Sequence, residues 1–88
     1  MKQIEPVQIW VNGSVQTGNF INAYIINDNL KDTAIFYWAI FSSESDVMQL
    51  SQGNLTLTGD SYIIWDEAND INLAAYQWIC FELNLTLI

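Results

Sequence analysis

The segment that most constrains the fold of this chain runs from Thr33 to Phe41 without a charged residue. β-Branched and aromatic side chains occupy both of its alternating faces. Such a run is typical of a strand in the centre of a sheet with both faces covered. We therefore expect a sheet built around this strand, with other elements packed on either side of it.

A hairpin is predicted before this strand. Residues 6–11 alternate as a strand, and Asn12-Gly13 follows them. That dipeptide favours a type I′ turn, because both central residues of the turn need positive φ. Residues 14–17 are expected to return antiparallel.

Two more strands complete the predicted sheet. Gly18-Asn19 is expected to break or bulge the returning chain before a further strand at residues 20–26. After a polar loop, residues 47–58 read as a long strand. Gly53 divides its alternating Leu residues, so a bulge or turn is expected there.

The C-terminal part predicts one helix. Asp60 or Ser61 is expected to cap a single short turn that holds Tyr62 and Trp65. Asn69 or Asp70 is expected to cap a helix over residues 71–83. Asn84 suits the C-terminal cap, and residues 85–88 suit an extended tail or a last strand.

The predicted helix has no polar stripe. Asn72, Gln77 and Glu82 are spaced so that they fall at widely different angles, and a helix that is apolar nearly all round is expected to be buried nearly all round. A competing interpretation makes residues 76–83 another buried strand. The predicted fold class is α+β: one domain over residues 1–88, with a small antiparallel sheet or partial sandwich of about five strands and one C-terminal helix packed on it.

Composition argues against most chemistry. The chain of 88 residues has no histidine, and its net charge of −8 comes from ten carboxylates against Lys2 and Lys31. Without arginine it is poorly suited to nucleic acid or to anionic membranes. Cys80 is the only cysteine, so neither a zinc site nor a thiol–histidine pair is available, and its apolar surroundings predict a structural role.

The acidic connector offers little for a site. Asp60, Asp66, Glu67 and Asp70 are close enough in sequence for paired-carboxylate hydrolysis or calcium binding. No alternating ligand pattern is present, because Ala68 stands where a ligand would be needed. We expect caps and a solvated loop there. The predictions are therefore no enzyme, no cofactor, no metal and no small-molecule substrate.

The apolar surface points to a partner instead. One helix on one sheet covers one face of each element, and the remaining apolar surface would be typical of an interface. The alternative is a two-sheet sandwich with the helix filling one end, which would satisfy both elements within the monomer. The candidate interface residues are Trp10, Tyr76, Trp78 and Phe81.

A longer pattern carries a resemblance. Residues 53–65 read G-N-x-T-x-x-G-x-x-Y-x-x-W, and they precede the segment Ala74-Ala75-Tyr76-Gln77-Trp78 and the ending Leu83-Asn84-Leu85-Thr86. With the opening at residues 6–13, this resembles small virion structural proteins of tailed bacteriophages. The motif consists of turn and core residues, so it bears on fold more than on activity.

The resemblance implies a non-enzymatic virion component, a capsid auxiliary or a head or tail accessory, present in many copies. It would be made in the host cytoplasm and would bind other virion proteins or copies of itself. The alternative is a small acidic soluble binding module or an inhibitor of a host protein. No basic, apolar leader is seen at the N-terminus, so no secretion is expected.

Overall fold

The fold is α+β, with two helices on one face of an antiparallel sheet. The structure, a computed structural model, describes residues 1–45 and 48–88. Within these ranges the sheet has four strands in chain order, β1 (Lys2–Val11), β2 (Ser14–Asp28), β3 (Thr33–Phe41) and β4 (Ser51–Thr58). The helices are α1 (Gly59–Asp66) and α2 (Ile71–Glu82).

The predicted hairpin turn is confirmed between β1 and β2. Asn12 has φ of 48° and Gly13 has φ of 89°, and Val11 pairs with Ser14 across the turn. Both central residues therefore occupy the positive-φ region that a type I′ turn requires.

The prediction of two separate strands at 14–17 and 20–26 is wrong, because β2 runs unbroken through Gly18. In the pairing of β1 with β2 the register shift lies in β1 instead, between Gln3 and Val7. A second shift lies in β2, between Ile25 and Asn27, where it pairs with β3. Gly18 is a packing position: a Cβ there would lie 2.6 Å from Cγ2 of Ile40 and 3.3 Å from Ile9. The glycine lets the buried Ile40 side chain lie against the backbone of β2. Because the two predicted strands form one continuous strand, the described sheet has four strands instead of about five.

The predicted irregularity at Gly53 is also wrong. β3 and β4 pair without a shift, and Trp38 stands opposite Gly53. A Cβ at Gly53 would lie 3.0 Å from Cζ2 of Trp38, so the glycine makes room for the indole ring. β4 begins at Ser51, and residue 47, the first of the predicted strand, lies outside the described residues.

The segment after β4 forms a full helix where a single short turn was predicted. α1 begins directly after Thr58, which is its N-cap, so the prediction of Asp60 or Ser61 as the cap is wrong. Asp60 lies within the first turn, where a carboxylate favours the positive end of the helix dipole.

Both ends of α2 agree with the sequence prediction. The Asp70 carboxylate accepts a hydrogen bond from the Leu73 N–H at 3.0 Å. Beyond the last helical residue, Asn84 has φ of 60°, and the Leu85 N–H donates to the Cys80 carbonyl at 2.8 Å. This is a Schellman-type ending. The alternative of a strand over residues 76–83 is wrong.

The core lies between the helices and one face of the sheet. Phe36 packs edge-on against Trp65 with ring centroids 5.4 Å apart, and Trp65 packs against Tyr62 at 5.6 Å. The buried cluster consists of Ile4, Ile21, Ala34, Phe36, Ile40, Leu57, Tyr62, Trp65, Ala75, Tyr76, Ile79 and Cys80. The described strands form a single sheet, so the two-sheet sandwich is not what this chain adopts.

The opposite face of β3 carries no helix, although each β3 residue is at least half-buried. Its members there include Tyr37, whose ring lies 5.1 Å from that of Tyr24 on β2. The Tyr37 hydroxyl donates to Oε1 of Gln52 at 2.6 Å. The expected cover on both faces is therefore supplied by helices on one side and by neighbouring side chains on the other.

Candidate protein-binding surfaces

The four predicted interface residues divide into two exposed and two packed side chains. Trp10 is 72% exposed and Phe81 is 79% exposed. Tyr76 is buried in the core, and Trp78 is half-buried with its ring 6.2 Å from that of Phe36. The structure thus leaves Trp10 and Phe81 available to a partner and places Tyr76 and Trp78 against the chain's own sheet.

Tyr76 forms hydrogen bonds with part of the backbone of β2. Its hydroxyl accepts a hydrogen bond from the Ala23 N–H at 3.0 Å. The hydroxyl proton has two acceptors within reach, the Ala23 carbonyl at 3.3 Å and Oδ1 of Asn22 at 3.4 Å. The ammonium of Lys2 lies 5.3 Å from the centroid of the Tyr76 ring. These contacts explain why a tyrosine at this position is buried.

The first surface is a two-stranded arm, formed by residues 7–18 and called here the hairpin arm. β3 pairs with β2 only from Phe20 onward, so the arm has no third strand among the described residues. Trp10 and Val15 are cross-strand partners near its tip, and both are exposed. The molecule measures 42 × 23 × 21 Å, in keeping with an element that extends beyond the sheet.

The second surface is a strand edge, formed by residues 22–28 of β2 and called here the open β2 edge. Pairing with β1 stops at Lys2 opposite Ile21, so no described strand lies beside these residues on that side. Tyr24, Ile25 and Ile26 are exposed along it. Unpaired edges of this kind are templates for another chain.

A groove lies between this edge and α2, and we call it the β2–α2 groove. Its volume is about 370 Å³. The lining residues come from the strand, the helices and the core beneath: Ala23, Tyr24, Ile25, Asp28, Phe36, Trp65, Ile71, Asn72, Ala75 and Tyr76. The indole N–H of Trp65 donates to the Ile71 carbonyl at 2.9 Å, which fixes the floor relative to the start of α2.

One end of the groove is acidic. The Tyr62 hydroxyl donates to Oδ1 of Asp28 at 2.7 Å. That hydrogen bond, then burial, then the charges of Asp28, Asp66 and Asp32 raise the pKa of Tyr62 to about 12. Hydrogen bonds from Asn29 and from Thr33 hold the pKa of Asp32 below its usual value, so this carboxylate stays charged.

A second, more open hollow of about 260 Å³ lies between α2 and the C-terminal tail. Phe81 lines it together with Leu85 and Leu87. The tail is tied to β1, because the Glu5 N–H donates to the Thr86 carbonyl at 2.8 Å and Ile4 pairs with Leu87. The predicted extended tail is therefore present as an isolated bridge to β1.

The residues weighed for chemistry form no centre in the described chain. Cys80 is buried, and burial raises the pKa of its thiol, so the reactive thiolate is disfavoured. Among the described residues no group of three or more carboxylate or thiol side chains is placed to hold a metal ion. Neither described helix is long and apolar enough to cross a membrane.

Sequence reasoning identified the exposed Trp10 and Phe81 but missed the open β2 edge and its groove. The available signal was the segment 20–26, which is apolar on both faces apart from Asn22. A double-faced strand suggests a central position, whereas here the pairing with β1 ends at Lys2 opposite Ile21 and the residues beyond it are exposed. Strand register decides this, and alternation alone does not determine register.

Comparisons with protein-family models, with curated proteins and with solved structures give no significant match for this chain. The resemblance to small virion proteins of tailed phages therefore stays a prediction from its sequence motifs.

Proposed function

We propose that this chain is a non-enzymatic structural protein that acts by binding other proteins, as a minor component of a virion of the tailed-phage type. Its partners would be other virion proteins or copies of itself. The observation that supports this best is the hairpin arm. A two-stranded hairpin is at best marginally stable alone in water, and exposed Trp10 and Val15 at its tip gain burial when a partner covers them.

Aromatic side chains suit this role. Trp is enriched among the residues that dominate binding free energy, because it buries a large rigid surface at little cost in side-chain entropy. Trp10 is placed near the tip of the hairpin arm and outside the core cluster, so it can contact a neighbouring subunit without moving the core.

The proposal is tested by incorporation into purified particles. Trp10→Lys should reduce the copy number of the chain per particle while leaving its thermal stability unchanged, because Trp10 lies outside the core cluster. Ile64→Lys is the matched control, since Ile64 is also 72% exposed but lies on α1. Equal incorporation of the two variants would show that the arm does not mediate assembly.

The second candidate function is a small acidic binding module that inhibits a host protein. It is favoured by one observation, the convergence of Asp28, Asp66 and Asp32 around Tyr62 at the end of an apolar groove. In that case the chain would remain in the soluble fraction of infected cells and would be absent from particles.

A further inference from the structure

The open β2 edge leaves a vacant strand position beside the sheet. Backbone groups of one residue point to the same side of a strand, and the side alternates along the chain. The Ala23 N–H and carbonyl point toward Tyr76, which bonds both. Ile25 lies two residues further on and before the register shift between Ile25 and Asn27, so its N–H and carbonyl point to the same open side, and the regular alternation ends there. An incoming strand would find a donor and an acceptor there.

Two other sheet edges are less suited to accept a strand. β1 contains Pro6 and is already bridged by the C-terminal tail at Ile4. β4 also has an unpaired outer side among the described residues, but Gln52, Asn54 and Thr56 are its exposed side chains on one face and Leu57 on the other face is already buried, so an added strand would gain little apolar contact there. The open β2 edge combines free backbone groups with an apolar groove.

The size and lining of the groove match an extended peptide. Its 370 Å³ lies within the range of roughly 300–1,000 Å³ that is typical of ligand sites. From the Tyr76 block at Ala23 to Asp28, the edge spans about 17 Å at roughly 3.3 Å per residue. Four or five residues of an extended chain therefore fit, with side chains directed at Phe36, Trp65 and Ala75.

Charge selects the kind of peptide. The charges of the Asp28, Asp66 and Asp32 carboxylates all raise the pKa of Tyr62, whose hydroxyl donates to Asp28 at one end of the groove. A second copy of this chain would bring a further net charge of −8 to the same place, which disfavours edge-to-edge pairing of two copies. A lysine or arginine would be attracted there.

We propose that the β2–α2 groove binds an extended segment of a partner protein that pairs with the backbone of β2 at Ile25, with apolar side chains in the groove and a Lys or Arg beside Asp28. The proposal rests on the proposed function in one respect, that the chain acts by binding proteins. The strand position supplies backbone hydrogen bonds, and the groove supplies side-chain specificity.

The first test is selection of peptides by the full chain. A displayed random library of peptides of about ten residues is selected on the immobilised protein, a length that exceeds the groove on both sides. The expected consensus contains apolar residues and carries Lys or Arg at one end. Failure to enrich any sequence, or enrichment of acidic or helical peptides, would overturn the proposal.

The second test asks whether the backbone contributes. Each residue of the best peptide is N-methylated in turn, and affinity is measured by fluorescence anisotropy. Pairing at Ile25 predicts that methylation of the one peptide residue opposite Ile25 weakens binding about tenfold, the order of one lost hydrogen bond, while the other positions tolerate it. Uniform tolerance at all positions would contradict strand addition. The wild-type protein is used throughout, so protein folding cannot confuse the result.

Variants of the protein locate the site. Ile25→Pro removes an outward N–H without removing a bond of the β2–β3 ladder, and it should weaken binding about tenfold. Ile25→Lys should do the same, whereas Ile63→Lys should not. Ile25 is 43% exposed and Ile63 is 50% exposed, so the two substitutions are matched. Asp66→Asn should reduce the preference for Lys or Arg.

Light scattering tests the other possible occupant of the open β2 edge, a second copy of this chain. If the wild-type chain is a dimer and Ile25→Pro makes it a monomer, a second copy occupies the edge and the proposal is wrong. Loss of particle incorporation in Trp10→Lys concerns the arm alone. The peptide results therefore test the groove independently of the proposed role in a virion.

Discussion

At the scale of single residues, the turn between β2 and β3 shows a conflict between side chain and backbone. Leu30 has φ of 60°, a conformation that costs a residue with a Cβ roughly 1–2 kcal/mol, and its side chain is 85% exposed. The turn is held by Asn29, whose side-chain oxygen accepts hydrogen bonds from the N–H groups of Lys31, Asp32 and Thr33.

Leu30→Gly is therefore expected to raise the free energy of unfolding by about 0.5–1 kcal/mol, because relief of the positive-φ cost exceeds the entropy that glycine adds to the unfolded chain. Urea denaturation of the purified protein measures this. Leu30→Ala is the control, since it keeps a Cβ and should stay close to wild type. A glycine variant no more stable than the alanine variant would contradict the assignment of strain.

A second residue, Tyr62, predicts a dependence on alkaline pH. Its pKa is raised to about 12 by the hydrogen bond to Asp28, by burial and by nearby carboxylates. A tyrosine in the unfolded chain ionises near pH 10. The stability contributed by the folded environment is fully present below about pH 10, and it is lost as the pH rises toward 12.

Tyr62→Phe should remove this part of the pH profile, because phenylalanine has no proton to lose. Thermal unfolding followed by circular dichroism between pH 9 and pH 12, a window of about one unit below and two above the unfolded value, measures it in both proteins. The wild type should lose stability more steeply than the variant. If the two proteins lose thermal stability in parallel as the pH rises, the hydrogen bond to Asp28 does not raise the pKa of Tyr62.

At the scale of elements, the hairpin arm depends on how it is joined to the sheet. Gly18 lies at the base of the arm, where a Cβ would approach Cγ2 of Ile40 to 2.6 Å. Ile40 is buried and β-branched, so it has few rotamers with which to move away.

Gly18→Ala should lower the free energy of unfolding by about 1–3 kcal/mol, the usual cost of overpacking. Denaturant unfolding checks the value. Ile40→Ala removes the clashing methyl, so in the double variant the cost should be smaller than the sum of the single variants. Additive costs would indicate that the two residues do not collide.

Local signals in the sequence predicted several elements correctly. The positive φ values at Asn12 and Gly13, the Asp70 cap and the Asn84 ending each depend on a few adjacent residues, so sequence alone specifies them. Gly18 was wrongly predicted to break or bulge its strand, and Gly53 was wrongly predicted to lie at a bulge or turn. Their role is to admit Ile40 and Trp38 from another strand, and no local pattern carries that information.

At the scale of the whole molecule, the excess of apolar residues predicted surfaces that bind a partner, and this stays a prediction; the structure shows which of these residues are exposed. Trp10 and Phe81 are exposed as an interface would require, but Tyr76 is consumed by its hydrogen bonds to β2. The open β2 edge could not be foreseen, because it depends on the register in which β2 pairs with its two neighbours.

The shape of the molecule also bears on assembly. The hairpin arm extends beyond the part of β2 that pairs with β3, while the β2–α2 groove is lined by β2 and the helices. A protein with separate binding surfaces can contact two neighbours at once, which suits a component present in many copies. If the chain assembles as proposed, its net charge of −8 would disfavour association of unassembled copies.

The central claim, that this chain is a virion component, is tested most directly by quantitative mass spectrometry of purified particles from cells that express it. The account predicts that the chain copurifies with the particles at a fixed ratio to the major structural protein in repeated preparations. Abundant chain in the lysate but none in the particles, together with a monomeric mass by light scattering, would contradict it.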